Sequence, residues 1–370
     1  MGKRIDRLVD DMYTRTTGKF IEGKTELDLL SKQAIIKLFR RRADIAVEKN
    51  DFPELDQEQK AAIRKYYKGC ARFSLIYHRV YAGRVGHLDL NYMPDDLYYG
   101  YIEPYYNDRE AARYIDNKAM YYRYFPTECL PKLTTMRMGS IWYDTDLNPI
   151  PAPRVLDLIR ENPDEMVLKI AENSEGGAGV FFLDRDDPVS DFRKRMRYID
   201  RDVVVQESVK QHGDYAVLHP QSVNSIRVMS FLHDRGVDIL TTCVKTGVGG
   251  CRTDNLSSGG MLVGVRDNGV TGDLGAMHDG IVTREHPTLH YVLAGHPVSH
   301  IDKAHELVKK LHPIMGKFRL ASWDIVITED GRALLLETNV SLTEIADMQV
   351  CAGPLFGDRT RKICREVFGL

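Results

Sequence analysis

Two acids, Asp324 and Glu337, flank the dipeptide Asp330-Gly331 in the stretch Ser322-Trp-Asp-Ile-Val-Ile-Thr-Glu-Asp-Gly-Arg-Ala-Leu-Leu-Leu-Glu-Thr-Asn339. Asp-Gly is strongly favoured in two-residue hairpin turns, so the stretch reads as two strands folded back on each other. A turn centred there pairs residues whose numbers sum to 661, setting Asp324 opposite Glu337 and Ser322 opposite Asn339. Strand alternation puts these four on one face and Trp323, Ile325, Ile327, Leu334 and Leu336 on the other. Opposed Cβ atoms stand about 4.5–5.5 Å apart, and like charges there destabilise the pair. Two carboxylates and an amide at that separation are hard oxygen ligands suited to Mg²⁺ carrying substrate phosphates. The alternative is a surface hairpin with solvated acids on its polar face.

Three further stretches carry chemistry. In Met166-Val-Leu-Lys-Ile-Ala-Glu-Asn-Ser-Glu-Gly-Gly-Ala-Gly-Val-Phe-Phe182 a strand bears Lys169, a loop bears Gly176, Gly177 and Gly179, and a second strand follows. Glycines let backbone amides approach an anion closely, and successive amides can nest phosphate oxygens. No Lys-Ser or Lys-Thr leads from the glycines into a helix, which excludes a P-loop. The β-branched and aromatic residues after Gly179 exclude a dinucleotide fingerprint. A glycine-rich flap over nucleotide phosphates fits, with Lys169 reaching the α/β-phosphates; a merely flexible turn is the alternative. Asp202-Val-Val-Val-Gln-Glu-Ser-Val209 is an apolar strand running into a polar hinge that could line an adenine slot. Arg227 stands on the apolar strand Ser222-Val-Asn-Ser-Ile-Arg-Val-Met229. An arginine there must be paired or face a cleft, and its planar fork suits a carboxylate or phosphate, a structural salt bridge being the other choice. Downstream lies Lys245-Thr-Gly-Val-Gly-Gly-Cys-Arg-Thr-Asp-Asn-Leu-Ser-Ser-Gly-Gly-Met261. His286, His290, His296 and His300 have i, i+4 spacings, but Pro287, Gly295 and Pro297 break any helix, so no zinc site follows.

The elements that must position these residues fall into two styles. Residues 1 to about 82 read as helical, with apolar positions at helical spacing across Leu27–Val47 and again across Gln57–Arg79. The basic residues of this front section read as a solvated face. The tyrosine-rich segment 91–106 is either a wall against a substrate or a packed connection. From about residue 120 short strands alternate with helices. Strands are expected at 165–170, 179–183, 203–206, 225–232 and 237–243, and helices at 151–161 and 299–320. Several connections cross antiparallel pairs, so the fold class is α+β, not a plain dinucleotide fold. The expected organisation is a helical region over 1–90, a first subdomain with the glycine loop over 91–205, and a second with the hairpin over 206–370.

Composition excludes several classes of function. The chain has 370 residues, 43% hydrophobic and 28% charged, with a net charge of −2. Neither nucleic acid nor an anionic membrane is therefore an expected partner. No apolar run reaches the roughly 18 residues of a membrane span, and the N-terminus lacks the apolar core of a secretory signal. The six cysteines show no CxxC spacing, which fits reduced thiols and a cytoplasmic location.

The order of these signals resembles the ATP-grasp superfamily. Val223-Asn-Ser-Ile-Arg-Val228, Thr253-Asp-Asn-Leu-Ser-Ser-Gly-Gly260 and Gly353-Pro-Leu-Phe-Gly-Asp358 are similar to its sugar-transfer-associated branch. The resemblance runs from about Met93 to the C-terminus. It implies two α+β subdomains sandwiching ATP, preceded here by a helical region instead of the family's usual α/β domain. It further implies that Lys118 and Lys169 bind the ATP phosphates under a loop formed by Gly176, Gly177 and Gly179. Gln206, Glu207 and Val209 would hold adenine mostly through backbone groups, with Asp214 at the ribose and Asn255 also in the nucleotide site. Arg227 would contact the γ-phosphate and Arg252 the acyl-phosphate or substrate carboxylate, with Lys245 as a third catalytic cation. Asp324, Glu337 and Asn339 would ligate Mg²⁺. The implied activity is an ATP-dependent carboxylate–amine ligase forming an amide through an acyl-phosphate, in cell-surface polysaccharide or related glycan biosynthesis. Its partners would be a small or glycan-linked carboxylate and an amine. A kinase acting on a sugar-like hydroxyl and a nucleotide-binding subunit without turnover are the alternatives.

Overall fold

The computed structural model describes residues 32–172, 179–277 and 280–370. Gly176 and Gly177, and the first part of the expected helical front, lie outside the described residues. The front section begins with α1 (Lys32–Lys49), which buries Ile35, Leu38, Phe39, Ile45 and Ala46 along one stripe. A capping box of Asp56 and Gln59 starts α2 (Gln57–Tyr66). The single helical stretch expected over Gln57–Arg79 is two helices, because the chain turns at Gly69, where φ is +93°, before α3 (Ile76–Val85). The tyrosine-rich segment is a packed connection. Tyr98 and Tyr99 are fully buried, and Tyr99 stacks on Phe39 with ring centroids 3.7 Å apart. Two short helices follow, α4 (Arg109–Ile115) and α5 (Lys118–Tyr124).

Two antiparallel sheets carry the rest. The first has six strands: β1 (Leu133–Met138), β2 (Ile141–Tyr143), β3 (Pro149–Ile150), β4 (Met166–Ile170), β5 (Val180–Phe182) and β6 (Val203–Glu207), in the order β3-β2-β1-β6-β4-β5. Helices α6 (Ala152–Glu161) and α7 (Pro188–Met196) belong to it, and Val155, Ile159 and Phe192 pack on Met166, Leu168, Val203 and Val205. The second has seven strands: β7 (Ile226–His233), β8 (Gly236–Thr246), β9 (Met261–Val265), β10 (Thr271–Met277), β11 (Val282–Thr283), β12 (Leu320–Ile327) and β13 (Ala333–Asn339), in the order β11-β10-β9-β8-β7-β12-β13. Strands β1, β2, β3, β9, β10 and β11 were not expected from the sequence; the glycines of 259–275 interrupt the alternation that would have marked β9 and β10. The helix expected over 299–320 is α8 (Ile301–Leu311), continued as a short 3-10 turn over His312–Met315. Pro313 cannot extend the α-helical hydrogen bonding, and β12 already begins at Leu320.

The second sheet is covered on both faces. On one, Val228, Val244, Trp323, Ile325 and Leu335 meet Ala304, Leu307, Val308 and Leu311 of α8. On the other, Met229, Phe231, Cys243 and Leu320 meet α1, the tyrosine segment, α9 (Ile345–Ala352) and α10 (Thr360–Phe368). Strand periodicity then places Arg227 on the face of Met229 and Phe231, Lys245 on that of Cys243, and Asp324 on that of Leu320. All three charged residues thus continue apolar rows that the front helices cover. No helix among the described residues is long and apolar enough to cross a membrane, and all six cysteines are free thiols.

Candidate active site

The hairpin of β12 and β13 pairs Asp324 with Glu337 and Ser322 with Asn339, the expected register at the acids. It reaches that register by another route. Gly331 N donates to Thr328 O and Thr328 N to Arg332 O, so the loop holds three residues, with Gly331 at φ +76°. Pairs near the turn therefore sum to 660, as in Ile327↔Ala333 and Ile325↔Leu335. A β-bulge at Leu336 adds the missing residue and restores 661 at the acids. The same bulge corrects the facing of Leu336. Instead of lying behind the sheet with Trp323, it lines the cleft beside Glu337, and Leu335 takes the core position.

Beneath the acids lies a buried charge lattice. Arg227 grips Asp324 along one edge of its guanidinium, Nε to Oδ1 at 2.9 Å and Nη2 to Oδ2 at 3.0 Å. Lys245 Nζ donates to Asp324 Oδ2 at 2.8 Å and to Asn255 Oδ1 at 3.3 Å, and lies 3.5 Å from Asp254 Oδ1. Asp254 in turn accepts from the backbone amide and hydroxyl of Ser225, which docks the 253–255 loop on the start of β7. Lys118, at the first turn of α5, donates to Glu337 Oε1 at 2.8 Å. Its helix is fixed to the hairpin by Tyr121, whose hydroxyl accepts from Thr338 N and donates to Thr338 O. Burial alone would raise the Asp324 carboxyl, but Arg227 and Lys245 overturn that and hold it well below the usual carboxylate range. Burial likewise opposes ionisation of Glu337, and Lys118 outweighs it. Lys245 stays protonated against its burial because Asp254 and Asp324 face it. Lys169 makes no ion pair among the described residues, and Glu337 and Asp254 only partly offset its burial. Burial and the neighbouring Lys118 ammonium lower it to about 8, and its Nζ has no hydrogen-bond partner among the described residues.

These groups form one end of a cleft between the two sheets, about 740 Å³ including space continuous with solvent, within the range of small-molecule sites. The other end is apolar: it is lined by Val167, Val180 and Phe182 from the first sheet, Val223 just ahead of β7, and Leu336 on β13. At the hinge the amide of Glu207 donates to Lys132 O and that of Ser208 to Glu165 O, whereas the amide of Val209 has no partner among the described residues. Such a slot with an unused backbone donor suits a flat heteroaromatic ring.

The cleft thus brings together Lys118, Lys169, Gln206, Glu207, Val209, Lys245, Arg252, Asn255, Asp324 and Glu337. Arg227 lies directly beneath it, bonded to Asp324. Asn339 lies one same-face step from the acids, beside Ser322, whose buried hydroxyl has no hydrogen-bond partner among the described residues. Gly179 stands immediately before β5, its carbonyl accepting from Ile170 N at 2.8 Å. Asp214 is elsewhere. It sits in the first turn of a short helix capped by His212, accepts from the Ser299 hydroxyl and does not line the cleft, so the ribose assignment has no geometric support. Arg252 is engaged across the cleft, its guanidinium 3.5 Å from the Phe182 ring centroid and 3.2 Å from Glu165 Oε1. Sequence reasoning missed Leu336, Phe182, Ser225 and Asp254. Only Asp254 carried a signal, as a second acid beside the Asn255 already singled out.

Among the described residues no cluster of three or more His, Cys, Asp or Glu side chains could hold a metal by itself. The donor set nevertheless suits a magnesium ion that arrives with phosphate. Asp324 Oδ2 is filled by Arg227 and Lys245, but Asp324 Oδ1 and the Glu337 carboxylate each keep lone pairs beyond those used by Arg227 and Lys118, and Mg²⁺ is commonly held by one or two carboxylates plus substrate oxygens.

A family model described as sugar-transfer associated ATP-grasp matches residues 100–365. The chain belongs to that family. Similar solved structures include D-alanyl-alanine synthetase A from Vibrio cholerae (12% identity, 71% of this chain and 67% of that one, TM-score 0.41). Others are a biotin carboxylase from Campylobacter jejuni in an ATP-analogue complex (11%, 71% and 48%, TM-score 0.43) and D-alanine–D-alanine ligase from Bacillus anthracis (11%, 71% and 71%, TM-score 0.40). The chain spans about half the length of the biotin carboxylase. A search of curated proteins gave no match. The ATP-grasp fold, two α+β units around a cleft behind a helical front section, is therefore the architecture in which the lattice and slot sit.

Proposed function

We propose that this protein is an ATP- and Mg²⁺-dependent carboxylate–amine ligase that forms an amide through an acyl-phosphate, acting in cell-surface polysaccharide or related glycan biosynthesis. The observation that carries the reading is the layering of the cleft. An apolar slot with an unused amide at Val209 leads to Lys169 and Lys118, and then to two opposed acids stitched to Arg227 and Lys245. In this reading adenine lies between Val180 and Leu336 against the hinge. Lys118 and Lys169 hold the phosphates beneath the loop containing Gly176, Gly177 and Gly179. Asp324 and Glu337, with Asn339, would hold Mg²⁺, which when bound offsets phosphate charge. Arg227 is oriented by Asp324 so that Nη1, the edge Asp324 does not use, can meet the transferring phosphoryl group. The glycan role is inferred from the family description alone.

Arg252 acts in this reading by drawing the loop of the second sheet onto the flap strand β5. Replacing it with alanine removes a cation–π contact and a half-exposed ion pair, so the KM for ATP should rise about two- to fivefold with little change in fold stability. Steady-state kinetics beside urea denaturation check both halves of that expectation.

The test of the ligase reading uses hydroxylamine as acceptor, with glucuronate, galacturonate and amino acids as acids. Acid-dependent release of ADP together with a hydroxamate supports an acyl-phosphate. A stable phosphorylated sugar would instead identify a kinase, and nucleotide binding without turnover a regulatory subunit.

A further inference from the structure

Between the end of β13 and α9 the backbone takes two left-handed residues that are not glycine, Leu342 (φ +50°) and Glu344 (φ +51°, ψ +62°). Such conformations are unfavourable and persist only where the surroundings over-determine them, and they cluster at functional sites. Here the front section supplies the constraint. The tyrosine segment has a widened π-helical turn over Tyr98–Ile102, and the groups it presents hold the strained passage from three sides. Tyr98 Oη bonds to Thr343 Oγ1 at 2.8 Å, Thr343 N and Oγ1 donate to Glu103 Oε1, and Ile345 N donates to Tyr99 Oη at 2.9 Å. Arg109 fixes Glu103 from behind at 2.8 Å. The side chain these contacts leave outside is Glu344. It is 61% exposed, with its carboxylate 3.5 Å from Arg227 Nη1.

That placement is not needed to neutralise Arg227, which Asp324 already grips with two bonds. A solvated acid beside the edge of Arg227 that would meet phosphate also repels an anionic donor. It would, however, attract a cation. Resting on the ligase reading above, we infer that Glu344 is the acceptor subsite: it binds the ammonium of the incoming amine and acts as its general base. One proton passes from R–NH₃⁺ to the Glu344 carboxylate. The freed nitrogen lone pair attacks the acyl carbon, and the C–O bond to phosphate breaks with its electron pair leaving on phosphate. The remaining surplus proton on nitrogen leaves with that phosphate as HPO₄²⁻, and protonated Glu344 returns its own to water. Tyr98, Tyr99 and Glu103 are positioning residues, which gives the helical front section a part in acceptor recognition.

The test compares two acceptors in the full-length protein, with the acids named above: hydroxylamine, uncharged near neutral pH, and the cationic amines lysine and ethanolamine. Glu344→Gln should lower kcat/KM for the cationic amine about 100-fold, the scale of a lost general base, and for hydroxylamine, which has no ammonium proton to shed before attack, at least about tenfold less. Tyr99→Phe, which frees the Ile345 amide, should shift the same ratio in the same direction. Equal loss with both acceptors, or loss with neither, makes Glu344 an ordinary ion-pair partner and overturns the inference while the ligase reading stands. No hydroxamate from the wild-type protein with any of the acids overturns both.

Discussion

Replacing Asp324 with alanine is expected to cost about 3–5 kcal/mol of stability, the usual penalty for breaking a buried ion pair, and to abolish ATP turnover. The carboxylate is buried and carries three charge-assisted hydrogen bonds, two from Arg227 and one from Lys245, so its removal leaves two buried cations with only the longer ion-pair contacts to Glu344 and Asp254. Asp324→Asn should do nearly the same, because an amide keeps the shape but not the charge. Urea denaturation of the two variants measures the first effect. A loss below about 1 kcal/mol would mean that the lattice is solvated and does not hold the hairpin. The sign of the pH dependence follows from the depressed carboxyl. Its stabilisation is fully present above the unfolded carboxyl pKa of about 4 and is lost only as pH falls through the lower folded value. Between pH 5 and neutrality this group should therefore leave stability flat. A double substitution of Arg227 and Asp324 by apolar residues could recover stability without recovering activity, which separates the structural duty of the pair from its chemical one.

The second large effect concerns Lys169, whose folded pKa of about 8 lies below the unfolded value near 10.4. Between those values the unfolded chain binds more protons, so this lysine's contribution to stability rises with pH from about 8 to 10. At neutral pH the folded protein carries a poorly solvated ammonium facing the cleft. Lys169→Met should consequently make the nucleotide-free protein more stable at pH 7, while weakening ATP binding about 10- to 100-fold through the lost charge-assisted contact. For the wild-type protein, ATP affinity should be constant below about pH 8 and fall above it by up to about tenfold per pH unit, because the triphosphate selects the protonated lysine. Calorimetry in buffers of different ionisation enthalpy should accordingly show proton uptake on binding at pH 8–9. Affinity that is flat through this range would show that Lys169 does not meet the phosphates.

The acids of the site were legible because hairpin pairing turns sequence spacing into distance. The agreement at Asp324 and Glu337 nonetheless hides two offsetting departures, a loop one residue longer than the favoured turn and a bulge one residue deep. Neither leaves a mark in residue type, and only the bulge explains why Leu336 lines the cleft. Strands β4, β5 and β6 were readable from their β-branched and aromatic runs. The glycine-broken β9 and β10 were not, since their pairing is set by neighbouring strands and not by local propensity. Asp214 illustrates the opposite case: a polar residue in the expected region of sequence accepts from the Ser299 hydroxyl and does not line the cleft. Glu344 had no sequence signal at all, because its placement depends on a backbone strain imposed by buried tyrosines from the other end of the chain.

The central claim is that ATP activates a carboxylate, and transfer of oxygen tests it most directly. With ¹⁸O in both carboxylate oxygens of an acid that supports turnover, an acyl-phosphate route delivers one ¹⁸O to inorganic phosphate for each amide formed. This appears as an isotope-shifted phosphate signal by ³¹P NMR. Inorganic phosphate free of ¹⁸O during amide-forming turnover, with the label retained entirely in the acid-derived product, would contradict the account.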